Sequence, residues 1–274
     1  MSGFPSLIGV VHLPPLGGSP GAHGEDAANA LQKAGALAVR ETALLERAGF
    51  EGIILENFGD APFYKQNVPP ETVASLSVIA AAVRESTRLP MGINVLRNDA
   101  RAALAIAAVT GCQFIRVNVL TGVAATDQGW IEGSAAELLR QRDFLHAHVA
   151  ILADVHVKHA RTFSSDDIAL AVEEASQRGL ADGVIVTGST TGRPVDLQLL
   201  DRASKAAHHC QTPLFVGSGS TPGNLAEFLR AADGVIVGSA LRKGNRAGAP
   251  LERKKCLAFA KEFHRLRARA KKKR

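Results

Sequence analysis

Eight short apolar runs recur along this chain, at Leu7–His12, Gly52–Glu56, Met91–Val95, Phe114–Val119, Val149–Val155, Ala181–Val186, Pro213–Gly219 and Ala232–Val237. Runs of this length, rich in Ile, Val and Leu, suit strands covered on both faces, as in a parallel sheet. Helices are expected between them: about Glu25 to Ala48, near Glu71 to before Leu89-Pro90, Arg97-Asn98-Asp99 capping one that ends about Val109, and Ser164 or Ser165 capping one that ends at Arg178. A polar helix follows Val186, a short one follows Gly219, and a closing helix runs from Leu251 to about Ala268.

The strand starts follow two designs. Ala-Asp-Gly-Val-Ile-Val occurs at Ala181–Val186 and again two strands later at Ala232–Val237, and Gly49–Leu55 and, more loosely, Gly111–Val117 resemble it. Other strands begin after Pro5, Pro90 and Pro213. Two designs taking turns is what alternating interior layers of a closed barrel would produce. At 274 residues, with no linker or composition break in the body, the expectation is a single (βα)8 TIM barrel over residues 1–260 and a basic tail over 261–274. A doubly wound nucleotide fold would place its glycine fingerprint after the first strand, whereas here the glycines come last.

Those last glycines suggest chemistry. The final three strands run out into Thr187-Gly188, Gly217-Ser218-Gly219 and Gly238-Ser239, where main-chain N–H groups can close around a phosphate because no side chain stands in the way. In a TIM barrel the customary phosphate seat lies after strands seven and eight. Glycine at a strand exit also serves simple turn chemistry, and one Gly-x-Gly alone decides little.

Polar residues collect at the other exits: His12, Glu56, Asn94, Arg116, Asn118, Asp154, His156 and Lys158. Arg116 and Asn118 share one face of their strand by period two, and Asp154, His156 and Lys158 share another if that strand continues far enough. Asp154, Lys158 and Glu56 are the candidate acids and bases, since opposite charges at a barrel mouth perturb one another; Asp154 reads equally as half of a rim salt bridge. His12, Asn94, Arg116, Asn118 and His156 are candidate substrate contacts, although a histidine such as His12 is more often a packed, hydrogen-bonded one than a ligand or catalytic group. A metal held by His12, Glu56, Asp154 and His156 lacks the tight spacing of a His-x-His or His-Glu-x-x-His site, so no metal and no cofactor are expected. The loops around Phe63 and Trp130 are candidate lids that would exclude water.

Charge changes the picture little. Of 32 basic and 26 acidic residues, Lys261 to Arg274 holds eight basic ones against Glu262, leaving a body of 24 basic and 25 acidic. The excess belongs to the tail, a solvated helix end that could touch an anionic surface weakly; without interleaved aromatics no nucleic-acid partner is expected. Cys112, Cys210 and Cys256 are odd in number and widely spaced, there is no secretion signal, and no segment has the apolar length of a membrane span, so a cytoplasmic protein is expected. The oligomeric state is left open, a homo-oligomer included.

Several strings together resemble the BtpA/SgcQ family: Glu56-Asn57-Phe58-Gly59-Asp60, Gly92 to Ala100, Phe114 to Gly122, Thr126 to Gly129, Asp154 to Ala160 and the Gly-Ser-Gly and Val-Gly-Ser exits. The resemblance spans Leu7 to about Lys243. It implies a barrel of the ribulose-phosphate-binding type, and members associated either with photosystem I biogenesis or with sugar-operon proteins described as nucleosidases. Two functions follow as expectations. One is an enzyme acting on a small phosphorylated substrate, a sugar phosphate or nucleoside-like compound; the other is a non-enzymatic photosystem I factor using the barrel surface or the tail.

Overall fold

The computed structural model describes residues 4–156, 160–162, 167–188 and 195–271. In chain order its strands are β1 (Leu7–His12), β2 (Gly52–Glu56), β3 (Met91–Asn94), β4 (Phe114–Val117), β5 (Val123–Thr126), β6 (Gly129–Glu132), β7 (Ala150–Val155), β8 (Ala160–Thr162), β9 (Gly183–Val186), β10 (Leu214–Val216) and β11 (Gly234–Val237). Around the ring, β1, β11, β10, β9, β7, β4, β3 and β2 close a barrel whose paired neighbours are parallel. This is the TIM-barrel architecture expected from the sequence. The helices are α1 (Ala27–Ala48), α2 (Pro70–Ser86), α3 (Ala100–Thr110), α4 (Ala135–Phe144), α5 (Ile168–Glu173), α6 (Leu197–His209), α7 (Leu225–Ala231) and α8 (Arg253–Lys271).

The barrel interior is a packed plug. Ile8, Val10, Ile54, Phe114, Leu152, Ile185, Phe215 and Ile236 form one buried cluster, separate from the larger layer between strands and helices. Phenylalanine is admitted where a neighbouring strand offers glycine: a Cβ on Gly92 would lie 2.2 Å from the Phe114 ring, and one on Gly234 2.7 Å from Phe215. Phe4 closes the bottom, edge-on to both rings. Gly92→Ala should therefore overpack the plug and cost about 1–3 kcal/mol, read as a lower denaturant midpoint; an unchanged midpoint would contradict this packing.

The same alternation sets the mouth. Because Val10, Ile54, Leu152 and Ile236 point inward, a step of two residues puts His12, Glu56, Asp154 and Gly238 at the top of the interior. The long connection after β4 folds into a hairpin, β5 against β6, and β8 adds to it, making a separate antiparallel sheet. Trp130 lies on that hairpin and is exposed.

Three expectations need revision. β7 ends at Val155, and His156 turns into the left-handed region at φ 51°, so the alternation of Asp154 and His156 breaks there; Lys158 lies outside the described residues. The fifth barrel helix is capped by Asp167, whose side chain accepts from the Ala169 N–H; Ser164 and Ser165 also lie outside the described residues. Finally, α8 runs through the expected boundary at Ala260 to Lys271, with Phe263 fully buried against the barrel. The segment from 261 is therefore part of the closing helix before it is a basic end.

Candidate functional site

A buried polar network spans the mouth from β3 to β7. The Arg116 guanidinium meets the Asp154 carboxylate with two hydrogen bonds, Nε to Oδ1 and a terminal nitrogen to Oδ2, both 2.9 Å. Asn118 Nδ2 donates to Asp154 Oδ2 at 2.8 Å, and Asn94 Nδ2 donates to Asn118 Oδ1 and to the Arg116 carbonyl. The Asp154 side chain is fully buried and that of Arg116 nearly so. Burial alone would lower the Arg116 pKa, but the Asp154 charge, the hydrogen bonds to it and Glu56 outweigh burial and raise it. This arrangement fixes the arginine as a charged strut.

Across from that network lie the two glycine loops. His12, Glu56, Phe58 and Arg116 line a narrow cavity together with Gly217 to Ser220 after β10 and Gly238 to Ala240 after β11. Its free space of about 30 Å³ is roughly two water-sized groups, which suits a compact anionic head with the rest of a ligand above it. A Cβ on Gly217 would sit 2.5 Å from Ile185 and 3.5 Å from an Arg116 nitrogen, so glycine lets the chain pass close to the guanidinium. Asn224 holds the β10 loop in shape, accepting from the Thr221 N–H and donating to the Gly219 carbonyl. Ser220 is buried and its hydroxyl has no hydrogen-bond partner among the described residues. A buried hydroxyl left without a partner is costly, and Ser220 belongs to the lining of this cavity.

His12 forms the wall beside Gly238. Its ring stacks on Phe58 with centroids 4.4 Å apart, its Nδ1 accepts from the Gly248 N–H at 3.1 Å, and its Nε2 lies 3.7 Å from Glu56 Oε1. The loop carrying Gly248 is held from below by Arg242, which is buried and donates to both Glu41 oxygens and to the carbonyls of Ala249 and Val10.

The remaining residues of the quoted strings build the rim. Asn57 Oδ1 accepts from the Leu96 N–H, Asn57 Nδ2 donates to Asp60, and Asp60 accepts from the Leu16 N–H, so one short loop ties together the exits of β1, β2 and β3. Burial raises the Asp60 pKa, opposed by the bonds from Leu16 and Asn57. Gly59 has no alternative here: a Cβ would lie 2.3 Å from the Pro15 nitrogen. Asn98 exchanges two hydrogen bonds with the backbone of Val119, which joins the exits of β3 and β4.

The structure thus brings His12, Glu56, Arg116, Gly217, Ser218, Gly219, Gly238 and Ser239 around one cavity, with Asn94, Asn118 and Asp154 one shell behind through Arg116. Thr187 and Gly188 lie at its side. The Gly188 N–H donates to Ser218 Oγ at 2.7 Å, and Thr187 Oγ1 donates to the His156 carbonyl at 3.4 Å. Two residues escaped the sequence reading. Ser220 was visible as the fourth member of Gly217-Ser218-Gly219-Ser220. Arg97 is buried at the β3 exit; burial lowers its pKa, opposed by the Asp154 charge, aided by that of Arg116, and opposed further by Asp127 and Glu56, which places its charge among the mouth groups. Among the described residues no group of three or more His, Cys, Asp or Glu side chains could hold a metal ion, and no helix is long and apolar enough to cross a membrane.

Comparison with known proteins agrees with this architecture. Residues 5–265 match the BtpA family. The photosystem I biogenesis protein BtpA of Synechocystis is 47% identical over 253 residues, covering 92% of this chain and 86% of that one. An uncharacterised protein of Pyrococcus horikoshii is 50% identical over 240 residues, covering 88% of each. Among solved structures, thiamine phosphate pyrophosphorylase from Pyrococcus furiosus superimposes with a TM-score of 0.56 at 15% identity, covering 83% of this chain and 90% of that one. N-(5'-phosphoribosyl)anthranilate isomerase from the same organism gives 0.55 at 12% identity, covering 95% and 99%.

Proposed function

This chain belongs to the BtpA family, and from that premise and the geometry of its mouth we propose that it is an enzyme acting on a small phosphorylated substrate, a sugar phosphate or a nucleoside-like compound. The observation that carries the reading is the cavity floored by Gly217–Ser220 and Gly238–Ala240, with Ser220 in its wall and the Ser220 hydroxyl buried without a hydrogen-bond partner among the described residues. Main-chain amides of Gly219, Gly238 and Ser239 would take the phosphate oxygens, with Ser218 and Ser220 adding hydroxyls. Thr187 and Gly188 would join if Ser218 turned from Gly188 to the ligand. Glu56 faces the bound molecule as acid or base, and Lys158 remains the second candidate for chemistry. Asp154 would act by orienting Arg116, and Asn94, Asn118 and His156 by shaping the far wall.

Ser220→Ala should weaken binding of inorganic phosphate about tenfold, the worth of one hydrogen bond to a charged group, without lowering the melting temperature of the free protein. A thermal-shift titration measures both. Equal phosphate affinity in the two proteins would remove Ser220 from the site.

A second reading is favoured by the name of the Synechocystis relative: a photosystem I assembly or stability factor working through the barrel surface or the basic end of α8. Truncation at Ala260 tests it poorly, because it strips Phe263 from the core. Exchanging Arg265 and Arg269, both exposed on α8, for glutamine leaves the buried Phe263 in place. Loss of function with phosphate binding intact would favour this second reading.

A further inference from the structure

One tautomer narrows the chemistry of the proposed phosphosubstrate site, on whose assignment the following inference rests. The Gly248 N–H points at His12 Nδ1 across 3.1 Å. A ring nitrogen that accepts a hydrogen bond carries a lone pair there, so the single proton of the neutral imidazole sits on Nε2. An imidazolium would set one N–H against another. Stacking on Phe58 at an interplanar angle of 25° fixes the ring plane. The Nε2 end faces the cavity: it lies 3.3 Å from where a Cβ on Gly238 would stand, so the glycine that opens the oxyanion floor also admits the histidine.

Glu56 completes the pair. It follows β1 in the ring, its Cα in register with that of His12, and it is buried to 5% exposure while lining the same cavity. Its contact with His12 Nε2, at 3.7 Å, is too long for a hydrogen bond. Among the described residues its carboxylate therefore remains available to a ligand. A carboxylate and a neutral N–H side by side, above a phosphate seat, have the complementary roles that enolisation needs: one removes a carbon-bound proton while the other steadies the oxygen that becomes negative.

We propose that His12 and Glu56 are a proton-transfer pair acting on hydroxycarbonyl phosphates, so that the reaction class is aldose–ketose isomerisation. The Glu56 carboxylate takes the proton from the carbon beside the carbonyl. The C–H electron pair becomes the C=C bond, and the carbonyl π pair moves onto oxygen, which His12 Nε2–H protonates. For a 1,2-shift the Glu56 carboxyl returns its proton to the former carbonyl carbon while His12 recovers one from the neighbouring hydroxyl. Every atom is conserved and no co-reactant is consumed.

Two measurements test this. Nitrogen-15 NMR of histidine-labelled protein at neutral pH should show His12 protonated at Nε2 and bare at Nδ1; a proton on Nδ1 would overturn the inference whatever the substrate. Ribulose 5-phosphate and dihydroxyacetone phosphate, each incubated with the protein in deuterium oxide, should exchange the hydrogen beside the carbonyl of at least one compound. The exchange should be at least about 100-fold faster than with Glu56→Gln, and His12→Gln, which keeps an N–H near the Nε2 position, should retain more than His12→Ala. If both compounds raise the melting temperature yet neither exchanges, the proton-transfer pair is wrong and phosphate binding stands. If neither raises it, the phosphate site itself fails and takes this inference with it.

Discussion

Asp154→Asn should destabilise the protein by about 3–5 kcal/mol, because it leaves the Arg116 guanidinium buried without its counter-charge. For a chain of this size that is a fall in melting temperature of about 10 °C. The expectation follows from the two 2.9 Å bonds and from the near-complete burial of both side chains. Asn118 donates to the same carboxylate, so an asparagine at 154 would also have to turn an acceptor toward it while presenting an amide to Arg116. Replacing the pair with Arg116→Met and Asp154→Leu should recover much of the loss, since apolar side chains of similar size bring no buried charge. Scanning calorimetry separates the alternatives. A melting temperature unchanged in Asp154→Asn, with turnover abolished, would mean that Asp154 acts on the substrate directly and that the strut is not its main duty.

Arg242→Met should cost a similar amount, about 3–5 kcal/mol, by stranding Glu41 in the wall between α1 and the end of the barrel. Arg242 is 1% exposed and satisfies both Glu41 oxygens and two carbonyls, while Lys255 Nζ caps its own carbonyl. Arg242→Lys should not rescue, because an ammonium cannot replace a planar fork spread over these acceptors. The effect should reach the site. The loop from Gly238 to Gly248 would lose its anchor, the amide that sets the His12 tautomer would loosen, and phosphate affinity should fall along with stability. Full phosphate affinity in a destabilised Arg242→Met protein would show that the anchor and the site are independent.

How much of this was legible in the sequence depended on whether a residue's role follows from its own strand. Period two carried His12, Glu56, Asn94, Arg116 and Asp154 correctly to one end of the barrel, because strand geometry fixes the facing of every second residue. It failed at His156, where a positive φ ends the alternation; nothing in Asp-Val-His-Val-Lys marks that turn. The pairing of Arg116 with Asp154 joins β4 to β7, strands 38 residues apart in sequence at these positions, and only the closed ring makes them neighbours. The hairpin after β4 was legible as a long connection with Gly129 in it, yet its pairing with β8 depends on a segment far along the chain. The charge count described the end of α8 as a tail because it weighed basic residues and overlooked Phe263, which lies at the right helical spacing from Phe259 to reach the core.

The central claim is that the loops after β10 and β11 hold a phosphate, and a crystal structure with ribulose 5-phosphate, grown free of other oxyanions, tests it most directly. The expected result is the phosphate group over Gly217–Ser220 and Gly238–Ser239, its oxygens within hydrogen-bond reach of the main-chain amides and of Ser220 Oγ, and the sugar directed toward Glu56 and His12. A phosphate bound elsewhere on the barrel at saturating ligand, with these loops unchanged, would contradict the account.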